Sequence, residues 1–324
     1  MAILMPPEWA PQEWLWIGFP HLAEEWPDCL EPAQEQIAAF ASAVADSGQE
    51  VRLLVHDEVN ALRARKLVSG KVKLQQQAYG DIWLRDTGPL IRGDGTALRP
   101  RFNGWGGKYL MQGDQEVGAE LARDAGLPLM ESDWVLEGGA IDGDGSGQCL
   151  TTEQCLLNPN RNPDFSRHEI ETRLKRDLGF KRVVWLGDGL TNDHTDGHVD
   201  NLARFIAPGT VALPRASRSD DPNAAIYADA KERLISAELE LHEIPSPGRV
   251  ERAGKIEPAS YSNFAITTHL VVVPTFDSPH DSDGIDAISA LFPDRDAIGL
   301  PADAVLAGGG GFHCASQQMP VLNA

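Results

Sequence analysis

One stretch near the C-terminal end decides how the rest of the chain is interpreted: Gly308-Gly309-Gly310-Gly311-Phe312-His313-Cys314-Ala315-Ser316-Gln317-Gln318. Four consecutive glycines cost backbone entropy and bury no side chain, so they indicate a tight turn or a close approach of the backbone to another group. The turn delivers Cys314, and a thiol in a polar, partly open position is a candidate nucleophile. For this stretch taken alone, a small buried cysteine after a flexible loop is the alternative.

The composition is that of a large acidic globular protein. The chain has 324 residues and a formal net charge of −20, which allows one large domain or two smaller ones. Duplex nucleic acid and anionic membranes are not expected as partners, because both need a basic face. A cationic small molecule would be attracted.

Cysteine spacing and the N-terminal residues indicate the compartment. The cysteines are Cys29, Cys149, Cys155 and Cys314, without the paired spacing of a zinc ribbon or the density of a disulfide framework. The N-terminal residues carry no basic region, and no apolar run reaches the length of a membrane span. We therefore expect a cytoplasmic protein.

The same order of elements recurs along the chain. An amphipathic pattern predicts a helix that Asp28 caps and Gly48 ends, and a second predicts a helix over 167–178. Hairpins are expected at Asp94-Gly95 and Asp144-Gly145. Roughly five passes of helix, strand, loop and hairpin make a weak repeat of a kind that closes into a ring. Because no linker divides the chain, we expect a single α/β domain over residues 1–324.

Polar clusters fall where predicted strands meet loops. They are Trp83-Leu84-Arg85-Asp86, Leu136-Glu137-Gly138-Gly139, the segment from Asp193 to Asn201, and the glycine–cysteine stretch. In a ring of repeated units equivalent strand ends converge on the axis, so these clusters are expected to share one pocket.

Together the clusters suit attack by sulfur on a cationic carbon. A guanidinium presents a planar fork of N–H donors, which carboxylates bind in charge-assisted pairs, and Asp86, Glu137 and Asp200 are candidates for that grip. The bound cation would favour the thiolate of Cys314. His198 could then protonate the departing ammonia and later deprotonate water, with no metal or organic cofactor.

Other interpretations remain open at this point. Singly, Asp86 is typical of a surface turn and Glu137 of a strand end. A metal-dependent hydrolase could use His194, His198 and Asp200, although the glycine between the two histidines interrupts any helical spacing. A catalytically silent module that binds cationic ligands is a further hypothesis.

The motifs resemble the agmatine deiminase family of guanidine-modifying enzymes, with bacterial peptidyl-arginine deiminases as close relatives. The resemblance is carried by the segments 83–89, 102–108, 137–139, 197–201 and 308–318, which run in the family's order over nearly the whole chain. Where the family commonly has Asn and an aliphatic residue before the His-Cys pair, this chain has Gly311 and Phe312.

The resemblance implies a five-fold pseudosymmetric α/β propeller of the pentein type. It implies hydrolysis of agmatine to N-carbamoylputrescine and ammonia through an amidino-cysteine intermediate, in polyamine (putrescine) biosynthesis. Peptidyl-arginine or another guanidine is the alternative substrate, and a homodimer is compatible with the sequence.

The resemblance also implies residue roles. Cys314 corresponds to the nucleophile and His198 to the acid and base, and the guanidinium-binding carboxylates correspond to Asp86, Glu137 and Asp200. For substrate binding the corresponding positions are Trp83, Asp193 and Gly308.

Overall fold

The computed structural model describes residues 4–322. In chain order the strands are β1 (Gln12–Gly18), β2 (Glu50–Val55), β3 (Lys73–Gln76), β4 (Leu90–Ile91), β5 (Ala97–Arg101), β6 (Leu129–Val135), β7 (Asp142–Gly143), β8 (Gln148–Thr152), β9 (Arg182–Leu186), β10 (Arg204–Ala207), β11 (Thr210–Arg215), β12 (Glu240–Pro245), β13 (Glu251–Arg252), β14 (Lys255–Ile256), β15 (Ala265–Ile266), β16 (Leu270–Thr275), β17 (Asp296–Pro301) and β18 (Ser316–Pro320).

Long helices and single-turn helices connect the strands. They are α1 (Leu30–Asp46), α2 (Glu58–Leu67), α3 (Leu84–Thr87), α4 (Gly104–Gly107), α5 (Asp114–Asp124), α6 (Glu153–Leu156), α7 (Arg167–Leu178), α8 (Ala224–Ser236), α9 (Asp281–Leu291) and α10 (Asp303–Leu306). Short 3-10 turns lie at Gly138–Ala140, Val199–Asn201 and Tyr261–Asn263. Between residues 4 and 322, no helix combines the length and apolar character needed to cross a membrane.

Five sheets repeat one pairing scheme. In β4-β5-β6, β7-β8-β9, β10-β11-β12 and β15-β16-β17 the first two strands pair antiparallel and the last two pair parallel. A hairpin can join the antiparallel strands, whereas the parallel pair needs a helical crossover, which α5, α7, α8 and α9 supply. This unit is the physical basis of the repeat in the sequence.

The fifth sheet joins the two ends of the chain. β18 pairs antiparallel with β1, from Gln12 opposite Pro320 to Ile17 opposite Ser316, and β1 pairs parallel with β2. The N–H of Gly18 also donates to the carbonyl of Ala315 at 3.0 Å. These bonds fix the turn that carries Cys314 against the N-terminal strand.

The helices pack on the sheets through apolar stripes. In α1 the buried Ile37, Phe40 and Val44 recur at helical spacing, and full burial of each contributes about 1.5–3 kcal/mol. The predicted cap of α1 is wrong: Cys29 precedes the helix without a side-chain cap bond, and Asp28 takes a left-handed φ of 59° instead.

Helix α7 lies over the predicted residues. Ser166 begins it with a reciprocal capping box to Glu169, and Gly179 ends it in the left-handed conformation at φ 77°. Both signals are local, so the sequence was sufficient to place this helix.

Candidate active site

Equivalent turns of the five sheets carry the candidate site. Each turn comes immediately before the first strand of its sheet: Asp86 lies in α3 before β4, Glu137 precedes the 3-10 turn before β7, His198 begins the turn before β10, and Cys314 lies just before β18. The corresponding turn before β15 carries Asn263. The pairing scheme therefore places these side chains at the same position of successive units.

A cavity of about 230 Å³ opens onto these turns. Its lining includes Cys314, Trp83 and Asp86, together with backbone of the glycine run. Glu137, His198 and Asp200 are fully buried. Their side chains do not line the cavity.

Gly139 brings three of the polar groups together. A Cβ built on it would lie 2.6 Å from Nδ1 of His198, 2.8 Å from Oδ1 of Asp86 and 3.1 Å from Oδ2 of Asp200. Only a residue without a side chain allows this approach, and its own N–H donates to Oδ1 of Asp86 at 2.9 Å. The second glycine after Glu137 is therefore part of the site.

Cys314 is buried and held by polar groups. Its Sγ accepts a hydrogen bond from Nδ2 of Asn263 at 3.0 Å and lies 3.4 Å from Oδ2 of Asp200. Burial, followed by the Asp200 and Asp86 carboxylates, raises the pKa of Cys314 well above its ordinary value. The free protein therefore holds a thiol, and a cation entering the cavity would favour the thiolate.

Asp86 is anchored through both carboxylate oxygens. Oδ1 accepts from Gly139 N, and Oδ2 accepts from the indole Nε1 of Trp105 at 2.9 Å. Burial raises the pKa of Asp86, while the positive charge of His198 works in the opposite direction.

Asp200 has one bonded oxygen and one without a partner. Oδ2 lies 2.8 Å from Nδ1 of His313, whereas the buried Oδ1 has no hydrogen-bond partner within residues 4–322. Burial alone would raise the pKa of Asp200, but the His313 hydrogen bond and charge hold it below its ordinary value. Asp200 is therefore an anion with one oxygen available to a donor in the site.

His198 is a buried cation beside Asp86. Its Nδ1 lies 3.6 Å from Oδ1 of Asp86, and its backbone N–H donates to Oγ1 of Thr195 at 3.0 Å. Burial opposes the charge, yet Asp86, Cys155 and Glu137 raise the pKa of His198 well above its ordinary value. The imidazole therefore carries a proton at neutral pH.

Glu137 is held by a buried ion pair with Arg161. Its Oε1 accepts from Nε of Arg161 at 2.6 Å, in an ion pair whose side chains are both fully buried. Glu137 does not line the cavity and lies instead against His198 and Cys155. The negative charge of Glu137 compensates the positive charge of His198, which would be costly to bury without a partner.

Asp193, predicted to bind substrate, does not line the cavity either. Its Oδ1 accepts from the backbone N–H and the hydroxyl of Thr195, and its Oδ2 accepts from Asn201 at 3.3 Å. Such bonds to the following residues are typical of an Asp that shapes a turn. The neighbouring His194 lines the cavity instead.

Trp83 and Gly308 both line the cavity, as their predicted role in substrate binding requires. The Trp83 ring lies 6.0 Å from that of Trp26. A Cβ on Gly308 would come within 2.3 Å of the Trp26 ring, so this backbone fits against the aromatic wall only as glycine.

A metal site through His194, His198 and Asp200 is not formed. Among residues 4–322 the side chains with metal-ligand spacing are Glu137, Cys155 and His198, whose ligand atoms lie within 4.8 Å of one another. Oε1 of Glu137 is already bonded to Nε of Arg161, and the three side chains are fully buried and do not line the cavity.

Sequence reasoning missed Asn263 and Trp105. Oδ1 of Asn263 accepts from the N–H of His313 at 3.1 Å and from that of Cys314 at 3.3 Å, while its Nδ2 contacts the sulfur. The signal for Asn263 was its place in the turn before β15, the one pass without a predicted polar cluster.

Known proteins similar to this chain fall in one group. A model of the family described as Porphyromonas-type peptidyl-arginine deiminase matches residues 4–320. The agmatine deiminase of Pseudomonas aeruginosa (strain LESB58) is 35% identical over 354 residues, which cover 98% of this chain and 95% of the relative.

Solved structures agree with the sequence comparison. An agmatine deiminase of Enterococcus faecalis superposes with a TM-score of 0.92 at 31% identity, covering 98% of this chain and 95% of that one. A cysteine-to-serine variant of the C. jejuni agmatine deiminase, solved with substrate bound, gives 0.91 at 30% identity, covering 98% and 96%. The fold is thus the mixed α/β fold of these structures.

Proposed function

This chain belongs to the Porphyromonas-type peptidyl-arginine deiminase family, and we propose that it hydrolyses the guanidinium of agmatine to N-carbamoylputrescine and ammonia. One observation carries the proposal: a protonated imidazole and two carboxylates meet around Gly139, and one of these carboxylates lies 3.4 Å from a buried thiol that lines a cavity. That set matches the needs of a guanidinium carbon, which is cationic and resists attack unless it is held rigidly.

Asp86 and Asp200 bind the guanidinium in this proposal. Asp86 lines the cavity, and Asp200 Oδ1 has no hydrogen-bond partner within residues 4–322. Two carboxylates beside Cys314 attract a planar cation and align its carbon with the sulfur. Burial and the two anions hold the Cys314 pKa high, and the arriving charge offsets the anions, so the thiol releases its proton to solvent as the cation binds and the thiolate forms.

The first half of the reaction forms a covalent bond to the enzyme. The Cys314 thiolate attacks the guanidinium carbon, and the bond between that carbon and a terminal nitrogen breaks. His198, charged in the free enzyme, donates its proton to that nitrogen, which departs as ammonia. The amidino group remains on sulfur, and Asn263 Nδ2 solvates the sulfur before attack.

The second half regenerates the thiolate. Neutral His198 takes a proton from water, and the resulting hydroxide attacks the amidino carbon. The carbon–sulfur bond then breaks, and the hydroxyl proton passes to solvent as the carbonyl of the urea product forms. Glu137, paired with Arg161, keeps the imidazole able to carry the charge in both halves. Glu137 is therefore a positioning residue in this scheme.

The far end of the substrate is bound by acids in our proposal. Asp81, Glu24 and Glu25 line the cavity, and among residues 4–322 those that line it include no Lys or Arg. The primary ammonium of agmatine therefore meets the negative charge of Glu24 and Glu25, and a carboxyl oxygen of Asp81, whose pKa burial raises to about 8, can accept a hydrogen bond from it. The α-carboxylate of free arginine meets no strong cation. Asp81 takes the place expected for Asp193.

The overall arrangement of the domain is also part of our proposal. Five sheets with one pairing scheme, and site residues in equivalent turns, support a single domain over residues 1–324 built as a five-fold pseudosymmetric α/β propeller. A role in polyamine (putrescine) biosynthesis, a cytoplasmic location and a homodimer stay predictions, which metabolite analysis, cell fractionation and sedimentation would test.

Ammonia release tests the substrate. Purified protein is incubated with agmatine, free arginine and a blocked arginyl peptide, and Cys314→Ala serves as the inactive control. We expect turnover of agmatine in preference to the other two. Activity confined to the peptide would instead identify a peptidyl-arginine deiminase, and full turnover by Cys314→Ala would rule out the covalent mechanism.

A further inference from the structure

His313, the neighbour of the nucleophile, takes no part in the reaction proposed above, yet it is buried in the centre of the site. Its Nδ1 lies 2.8 Å from Oδ2 of Asp200, and its Nε2 lies 3.3 Å from Oε2 of Glu8. Both nitrogens of one ring therefore face carboxylate oxygens from opposite sides.

This geometry favours a hydrogen on both ring nitrogens. A neutral imidazole carries one N–H and one lone pair, so either tautomer would point a lone pair at a carboxylate. The doubly protonated ring donates from both nitrogens, and charge-assisted bonds of this kind are the strong ones. Two buried anions on either side of the ring supply the compensation that a buried cation needs.

Glu8 is a fixed anion and not a mobile surface acid. It forms a buried ion pair with Arg204, and its Oε1 accepts from the N–H of Ile266 at 2.9 Å. Although burial opposes ionisation, Arg204, His313 and Arg85 hold the pKa of Glu8 below its ordinary value. The segment before β1 therefore delivers a permanent negative charge to the far side of His313.

On the opposite side of the ring, Nδ1 of His313 restrains the carboxylate of Asp200. Its Oδ2 is bonded to His313 and contacts Cys314, so the carboxylate is fixed about its last torsion, and Oδ1 is the oxygen without a hydrogen-bond partner in residues 4–322. Without the His313 bond the carboxylate could rotate or accept more closely from the thiol, and the guanidinium would lose an aligned acceptor.

We propose that His313 is a positioning residue: doubly protonated between Glu8 and Asp200, it orients Oδ1 of Asp200 toward the guanidinium. The inference rests on the proposed function for the identity of the cation in the site. It assigns the substrate contact to Asp200 and gives His313 no contact with the substrate.

Two amide variants separate the two sides of the ring. The side-chain nitrogen of His313→Asn stands near the Nδ1 position and can donate to Asp200, whereas that of His313→Gln stands near Nε2 and can donate to Glu8. Both are made in a Cys314→Ala background, and binding of agmatine and of methylguanidine is measured by calorimetry. This background removes chemistry, so the readout is binding alone.

We expect His313→Asn to bind both probes roughly 10- to 100-fold more tightly than His313→Gln, the range for losing a hydrogen bond to a charged group. If His313 only anchored Glu8, the order would be reversed. Equal affinities, or tighter binding by His313→Gln, would overturn the inference. With Cys314 restored, the KM for agmatine is expected to be lower in His313→Asn than in His313→Gln.

The ring charge is tested without any substrate. In ¹⁵N spectra of the wild-type protein at pH 7, the His313 signals, assigned by their loss in His313→Asn, should report two protonated nitrogens. One unprotonated nitrogen would overturn the inference even if agmatine is hydrolysed. Conversely, a protein that does not hydrolyse agmatine, yet binds methylguanidine in the expected order, would refute the proposed function and retain this inference.

Discussion

Gly139 packs closely against His198 and Asp86, and a single added methyl group tests whether that packing is needed. In Gly139→Ala the new Cβ would lie 2.6 Å from His198 Nδ1 and 2.8 Å from Asp86 Oδ1, where ordinary contacts begin at 3.4 Å. The backbone of Gly139 is not left-handed, so the substitution acts through this clash and not through φ.

The expected size follows from the displacement. The imidazole must retreat by roughly 0.8 Å (from 2.6 to 3.4 Å) and the carboxylate by roughly 0.6 Å (from 2.8 to 3.4 Å), and a misplacement near 1 Å can cost about 100-fold in rate. Overpacking a buried site costs about 1–3 kcal/mol of folding free energy. For a chain of this size we therefore expect Tm to fall by several degrees while the protein stays folded.

Gly70→Ala is the matched control, because a Cβ there meets nothing within 4 Å. Both variants are compared with wild type in agmatine-dependent ammonia release and in thermal unfolding followed by circular dichroism. We expect kcat/KM to fall about 100-fold in Gly139→Ala and to stay near wild type in Gly70→Ala. A folded Gly139→Ala enzyme within about 3-fold of the control, well below the 100-fold expected from such a misplacement, would refute the reasoning.

Three further substitutions follow from individual contacts. Asn263→Ala removes the Nδ2 donor to Cys314, so iodoacetamide should alkylate the thiol more slowly at pH 8, and an unchanged rate would contradict this. Trp105→Phe removes the indole donor to Asp86, which should raise KM for agmatine about 10-fold, whereas an unchanged KM would mean that Asp86 needs no anchor. Burial raises the pKa of Asp81 to about 8, so its proton stabilises the fold at low pH, and that contribution is lost as pH rises from about 4 to 8. Asp81→Asn should therefore have a higher Tm than wild type at pH 8 but not at pH 4, and it should bind agmatine more weakly. Equal Tm differences at both pH values would exclude ionisation of Asp81 as the cause.

Local signals were sufficient for much of the fold. The capping box and final glycine of α7, and the Asp94-Gly95 hairpin between β4 and β5, depend on residues a few positions apart. By contrast, β18 was not predicted, because its strand character depends on pairing with β1 at the other end of the chain. The mostly polar β12 was missed as well, since its order comes from parallel pairing with β11.

The departure at Phe312 also has a structural reason. Its ring is fully buried and packs 4.7 Å from that of Phe40 in α1, where an aromatic side chain fills the core. A Cβ at the adjacent Gly311 would lie 2.6 Å from Oδ1 of Asn263, so this chain places the amide close to the backbone at that point.

Site residues were predictable to the extent that their chemistry is visible in the sequence. Cys314, His198, Asp86 and Asp200 were predicted as site residues because thiols, imidazoles and acids beside glycines carry a chemical signature. An amide such as Asn263 carries none, and only its place in the repeat could have identified it. The ion pair of Glu137 with Arg161 could not be read from the sequence, because Arg161 lies 24 residues away, in the crossover between β8 and β9.

The covalent intermediate tests the central claim most directly. Protein is mixed with agmatine, quenched in acid within the first turnovers and digested for mass spectrometry. The account predicts an amidino adduct of the substrate on the peptide that contains Cys314, and its absence from Cys314→Ala. Rapid ammonia release by the wild-type protein with no adduct on that peptide, or with the adduct on another cysteine, would contradict the account.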